Sequence, residues 1–148
     1  MIFSEKPKNF NPRYHTVCVF MFNLKGEALF LKRASNKSEG GKFGIPGGKR
    51  EKDETSLNTG VREVKEETGI DIDENDLKSF KTVYVKYPEH DFIFEMFETE
   101  FFTEGNVLIN PEHSEFKWVT LDQALKNLPL VRDMDECIKL FKKAKPQA

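Results

Sequence analysis

The chain of 148 residues reads as an α/β domain built on a mixed β-sheet. Three observations lead there. Apolar residues alternate or run together in strand fashion before residue 50, change to a helical period over Thr55 to Thr68, and return to alternation afterwards. The order of segments is ββ–α–βββ–αα, too few helices for a bundle and too many for an all-β sandwich. The length suits one compact domain with one core.

Residues 1–12 are polar and punctuated by proline, so they are expected to form an N-terminal arm, with the domain occupying 13–148. Tyr14 to Phe22 (YHTVCVFMF) is β-branched and aromatic, a well-buried strand. Asn23 to Gly26 is a turn, and Glu27 to Lys32 follows as the hairpin partner. Arg33 to Lys42 is almost without apolar residues and should be a mobile surface loop; Phe43 to Gly48 is a short apolar piece ending in turn chemistry. Leu57, Val61 and Val64 then form one helical stripe, with Thr55 or Ser56 as the cap and Gly69 as the stop. Phe80 to Tyr87 and Phe92 to Phe102 read as strands, Glu115 to Thr120 as a shorter one. Leu121 to Asn127 and Asp133 to Lys143 complete the chain as helices, the last carrying Met134, Cys137, Ile138 and Phe141 at helical spacing.

Composition narrows the function classes. Twenty-three basic and 25 acidic side chains leave a net charge of −2, which argues against a protein that coats nucleic acid through its phosphates. Fourteen Phe residues supply enough apolar surface to exclude an acidic disordered tail. The longest apolar run, Val17 to Phe22, is far short of the roughly 20 residues of a membrane helix, and the first residues lack a signal-peptide core. Cys18 and Cys137 stand alone in apolar surroundings, as reduced buried thiols do. The expectation is a cytoplasmic protein that binds no membrane. Its oligomeric state, a homodimer included, stays open.

The helix holds the chemistry. Glu63, Glu66 and Glu67 stand at i, i+3 and i+4, on one side of the helix and off the apolar stripe. Like charges at this spacing destabilise a bare helix by a few tenths of a kcal/mol per pair, so the cluster is either solvated or neutralised by a cation. Carboxylate oxygens suit Mg2+ or Mn2+, which keep positions open for water and phosphate. A glycine-rich turn, Phe43 to Lys49, lies directly upstream, where backbone can approach a metal or phosphate closely. Glu54 stands where it can pair with Arg62, and Gly60 inside the helix points to close packing.

Gly48, Glu54, Arg62, Glu63, Val64, Glu66, Glu67, Gly69 and Ile70 match every specified position of G-x5-E-x7-R-E-U-x-E-E-x-G-U, with U aliphatic. In this the chain resembles the Nudix hydrolases of the MutT-like type. The resemblance implies an α/β/α sandwich and a metal-dependent pyrophosphohydrolase, cleaving a nucleoside diphosphate linked to another group. It implies that Glu63, Glu66 and Glu67, with the Gly47 carbonyl, hold Mg2+ or Mn2+, and that Arg62 and Glu54 orient the helix. It also implies an acid outside the box, in Asn110 to Trp118, either as base or as an extra metal ligand. Glu115 is preferred there over Glu112, Glu63 remains a base candidate, and His113 is read as a loop residue.

Substrate contacts are weaker in signal. Arg33 and Lys49 are placed to reach a phosphate. Phe43 is either a base-pocket wall or core. Asp133 either reads the base or forms a capping pair with Glu136. The expected substrate is a small-molecule nucleotide: first a nucleoside triphosphate, normal or oxidised, giving monophosphate and pyrophosphate. The alternatives are ADP-ribose, a nucleotide sugar or a dinucleoside polyphosphate, and a ligand-sensing module without catalysis. RNA-cap removal is disfavoured by the lack of a basic stripe.

Overall fold

The computed structural model describes residues 1–100 and 107–144. In chain order the elements are β1 (Ile2–Phe3), β2 (Pro12–Phe22), β3 (Ala28–Arg33), β4 (Phe43–Gly44), β5 (Gly47–Lys49), α1 (Ser56–Thr68), β6 (Lys78–Lys86), β7 (Asp91–Glu100), β8 (His113–Val119), α2 (Leu121–Asn127) and α3 (Met134–Ala144). The expected end of the Phe92 to Phe102 strand, Phe101 and Phe102, lies outside the described residues.

The sheet is mixed, with order β1-β6-β7-β2-β3-β4; β5 joins β2 and β8 joins β3. β2 and β7 run parallel from Pro12 to Phe22, while the other pairs are antiparallel. The expected arm is partly ordered into this sheet. Ile2 and Phe3 pair with Val85 and Tyr84, and β2 already begins at Pro12. Those first apolar residues are too few to show a periodicity, so only their partner strand makes them a strand.

Each side of the sheet carries its own core. Val17, Val19 and Met21 of β2, with Leu29 and Leu31 of β3, pack under α1 through Val64. The alternate residues Cys18, Phe20, Ala28 and Phe30 pack under α2 and α3 through Ala124, Cys137, Ile138 and Phe141. Both faces of β2 are therefore buried, which is why it reads as an unbroken apolar run. The layers form the α/β/α sandwich that the family resemblance implies, and the mixed sheet with helices on its faces that the element order suggests. Gly60 is explained by packing: a Cβ there would stand 2.9 Å from a Leu77 methyl. Among the described residues no helix is long and apolar enough to cross a membrane.

One departure from a regular sheet positions everything that follows. β2 and β3 pair at Phe22 and Ala28 and then part. The glycine-rich segment wedges between them, with β5 on β2 (Thr16 to Cys18) and β4 on β3 (Leu31 and Lys32). The cleft this opens is lined by Thr16 and Cys18 from one strand and Leu31 and Arg33 from the other. Residues 34–42, expected to be a mobile loop, form turns folded back on β3, with Gly41 N–H donating to Arg33 O and Lys37 N–H to Ala34 O.

Candidate active site

α1 is held at both ends by local chemistry. Thr55 is the N-cap: its hydroxyl accepts from Asn58 N–H at 3.0 Å, and the Asn58 amide oxygen accepts from Thr55 N–H in return. Gly69 closes the helix at φ +75°, a left-handed conformation that glycine enters without penalty. β5 is pressed between α1 and β2, because Gly48 has no side chain to hold the helix off and Gly47 none to hold off β2. A Cβ on Gly48 would fall 2.4 Å from the Glu63 carboxyl, and one on Gly47 would fall 2.4 Å from Val17 O.

The carboxylates differ sharply in exposure. Glu67 is buried, while the side chain of Glu63 is 12% exposed and that of Glu66 53%. Glu67 Oε1 accepts the Gly47 N–H at 3.0 Å. Burial nevertheless pushes its acid up to about 9, against the opposing pull of that N–H; the charges of Glu63 and Glu112 add to the rise. Burial also raises Glu63, opposed by its bond to Arg62. Arg62 sits among the acids. Its Nε and Nη2 donate to the two oxygens of Glu54 at 2.6 and 2.9 Å, and its Nη1 donates to Glu63 at 2.7 Å and to Glu66 at 3.4 Å. Nη2 also donates to Lys49 O, so this one guanidinium ties the helix, the preceding loop and β5 together. The bidentate bond from Arg62 is the main reason the Glu54 acid falls to about 2.

A cavity of about 730 Å3 opens beside this cluster, in the cleft between β2 and β3. Glu67, Gly47 and Gly48 belong to its wall, as do Tyr14, Tyr87 and Phe92. The rings of Tyr14 and Phe92 stack at 5.0 Å, and Tyr87 meets Phe92 edge-on at 5.5 Å. Arg132 lies over the Tyr87 ring at 3.6 Å, and the Tyr87 hydroxyl donates to Asp133 Oδ2 at 2.7 Å.

The other sequence candidates distribute unevenly. Lys49 lines the cavity with its ammonium 4.3 Å above the Tyr14 ring. Arg33 lines it too, but its Nε donates to Ser38 O at 2.6 Å, so the guanidinium is held by the 34–42 turn. Asp133 is in the wall at φ +63°, before α3; its carboxylate takes the Tyr87 hydroxyl, and Glu136 pairs with Lys139 in place of the expected capping pair. Of the two readings of Phe43 the structure fits the core one and not the base-pocket wall: it is 3% exposed and packs in the α2–α3 core, with Leu130 beside it across a β-bridge.

Glu115 is a correction. It pairs in register with Lys32, on the sheet face that Phe30 and Ala28 share with α2 and α3, and it bonds Lys32 at 3.5 Å. The α1 carboxylates lie on the other face. Glu112, in the turn before β8, is the acid whose charge reaches Glu67. That turn is docked onto α1 by Asn110, whose Nδ2 donates to Glu66 O at 3.1 Å while its Oδ1 accepts from Glu112 N–H at 3.1 Å. The sequence reading missed Asn110 and the Tyr87–Arg132 pair. Asn110-Pro111 carries a turn signal, but nothing local links residue 87 to residue 132.

Among the described residues no three acid, imidazole or thiol groups already converge as a closed metal cage, and Arg62 provides the positive charge among the acids. The donor set still fits a hard divalent cation. It is all carboxylate oxygen, with one acid nearly sealed and another fitted against a glycine.

Comparison with known proteins places this geometry in a family. A MutT protein from Methanosarcina mazei Go1 superposes with a TM-score of 0.80 at 29% identity, over 93% of this chain and 98% of that one. The NUDIX domain of Shewanella oneidensis NrtR, in complex with ADP ribose, gives 0.73 at 22% identity, over 94% and 92%. A C. elegans Ap4A hydrolase in a binary complex gives 0.69 at 19% identity, over 88% and 96%. No curated protein sequence matches. The NUDIX domain family model matches residues 12–141, nearly the whole domain described above, and the chain belongs to that family as a Nudix pyrophosphohydrolase.

Proposed function

We propose that this chain hydrolyses a nucleoside triphosphate, normal or oxidised, to monophosphate and pyrophosphate with Mg2+ or Mn2+. The observation that carries the reading is the cavity itself. One stretch of its wall is the glycine turn and Glu67; another is the aromatic group Tyr14, Tyr87 and Phe92. A polyphosphate suits the first and a stacked base the second.

Glu63, Glu66 and Glu67, with Gly47, would hold the metal. When bound, it supplies charge neutralisation at the phosphates and an activated water. The protein's own groups do the positioning. Gly47 N–H and Gly48 fix the Glu67 and Glu63 carboxyls; Arg62 and Glu54 keep α1 registered on β5. Glu112 is the preferred acid to take the proton of the attacking water, with Glu63 as the other candidate, because Glu112 is carried to the cluster on a turn bound to α1. Lys49 is placed to meet a phosphate and Asp133 to meet the base.

A second reading keeps the chemistry and changes the leaving group to ADP-ribose, a nucleotide sugar or a dinucleoside polyphosphate. The neighbours bound to ADP ribose or acting on Ap4A favour keeping it. Product analysis from GTP, CTP, 8-oxo-dGTP, ADP-ribose and Ap4A, each with Mg2+ and with Mn2+, tests both. Pyrophosphate from a triphosphate is expected; AMP from ADP-ribose alone would move the assignment to the second reading. Turnover unchanged in Glu66→Gln and Glu67→Gln would make the catalytic role of these acids wrong; ligand binding with no turnover of any of these compounds would point to a sensing module.

A further inference from the structure

His113 opens β8, paired across strands with Arg33, and both residues line the cavity that Glu67 and Gly48 share. Its Nδ1 is sealed from solvent and meets no hydrogen-bond partner among the described residues. A neutral imidazole carries one proton, and placing it on a sealed nitrogen without an acceptor would leave a buried donor unmet. The proton therefore belongs on Nε2. Because Nδ1 is closed off while the residue lines the cavity, Nε2 is the ring nitrogen left to meet a ligand there.

The ring is also held in place. His113 N–H donates to Asn110 O at 3.0 Å, Asn110 bonds the α1 carbonyl of Glu66, and Ala34 N–H donates to Glu112 O at 2.9 Å. The turn is thus tied to the carboxylate helix on one side and to the end of β3 on the other. A hydrogen-bond donor on such a support needs little reorganisation to meet a ligand.

We propose that His113 is a substrate-binding residue whose Nε2–H donates to a non-bridging phosphoryl oxygen of the bound polyphosphate. The inference rests on the polyphosphate reading above and adds a contact to it. The phosphate end is favoured over the base end because His113 adjoins Glu112, whose charge reaches Glu67, and pairs with Arg33. A neutral donor there grips phosphate without competing as a cation for the metal-holding acids.

Two measurements test it. In the first, wild type, His113→Phe and His113→Gln are assayed on nucleoside triphosphates with Mg2+. Removing the donor should lower kcat/KM roughly tenfold to a hundredfold, as expected for a hydrogen bond to a charged group. The glutamine amide, which can present an N–H near the same place, should recover most of it. In the second, the imidazole nitrogens of the wild-type protein are followed by 15N NMR while Mg2+ and inorganic pyrophosphate are added. The expected result is an Nε2–H tautomer whose resonances move on addition. Wild-type kcat/KM in His113→Phe, an Nδ1–H tautomer, or resonances indifferent to pyrophosphate would each overturn the proposal. The second measurement needs no variant to fold. A wild type that cleaves no triphosphate but shifts His113 with pyrophosphate would overturn the substrate reading and support the phosphoryl contact.

Discussion

On the α2–α3 face of the sheet, Phe20, Phe22, Phe80 and Phe141 meet ring against ring, with Phe80 and Phe141 edge-on at 4.6 Å. On the α1 face the strands are equally apolar beneath Val64, but at β5 the packing gives way to Glu63, Glu67, Arg62 and Glu54. The first region gains stability from removing apolar area from water. The second buries acids whose desolvation opposes folding, and Arg62 and the Gly47 N–H offset only part of that cost. Such an arrangement is poorly explained by stability and well explained by a task that needs anionic oxygens at fixed places. The contrast teaches that the ring cluster should govern stability and the carboxylate cluster turnover, with Tyr87 and Phe92 of the cavity drawn from the aromatic side.

The largest effect should come from the aromatic face. Phe141→Ala is expected to lower stability by about 3–5 kcal/mol through lost burial and a residual cavity, with turnover per folded molecule unchanged. Chemical denaturation beside active-fraction assays would show it, and a specific loss of turnover would break the separation. Glu67→Gln is the mirror case: activity falls on the order of a hundredfold or more, while stability holds because the amide oxygen still accepts the Gly47 N–H. A melting curve run with initial-rate measurements decides it, and a strongly destabilised but active variant would count against the assigned role.

Gly48→Ala sharpens the comparison further. The new methyl collides with the far end of the Glu63 side chain, which can swing aside cheaply, so melting should move little while kcat/KM drops about tenfold from misplaced carboxylate geometry. The smallest effect concerns acid. Because the folded-state acid of Glu54 is depressed to about 2 from its ordinary 4.5, its contribution to stability is complete above about pH 4.5 and is lost as pH falls toward 2. Glu54→Gln should therefore be less stable than wild type near neutrality, by a margin that narrows across that window. Screening from the solvent side keeps this margin modest. Acid melts of the two proteins check this; a gap that fails to close would put the stabilisation elsewhere.

Much of the molecule is legible in one dimension. α1 is announced by its stripe, by Thr55 and by Gly69, because caps and stripes are local physics. The Arg62–Glu54 bond is foreseeable because the two residues sit in one short stretch of loop and helix. Illegible were contacts that join distant segments: Ile2 and Phe3 on β6, Asp133 with Tyr87, and Asn110 on Glu66. The choice between Glu112 and Glu115 belongs with these. Both acids fit the motif spacing, but a strand shows alternate side chains to opposite faces, and only the register of β8 on β3 tells which face Glu115 takes.

By itself, then, the sequence determined the element types, the family and the carboxylate helix, since these follow from periodicity, capping and one dense motif. Tertiary structure alone decided what surrounds that helix. The parting of β2 from β3 opens the cavity, and register puts Glu115 behind the sheet. The Asn110 bond brings Glu112 and His113 forward. Those outcomes depend on pairings between residues as far apart in the chain as Ala28 and Val119, whose energies no local pattern encodes.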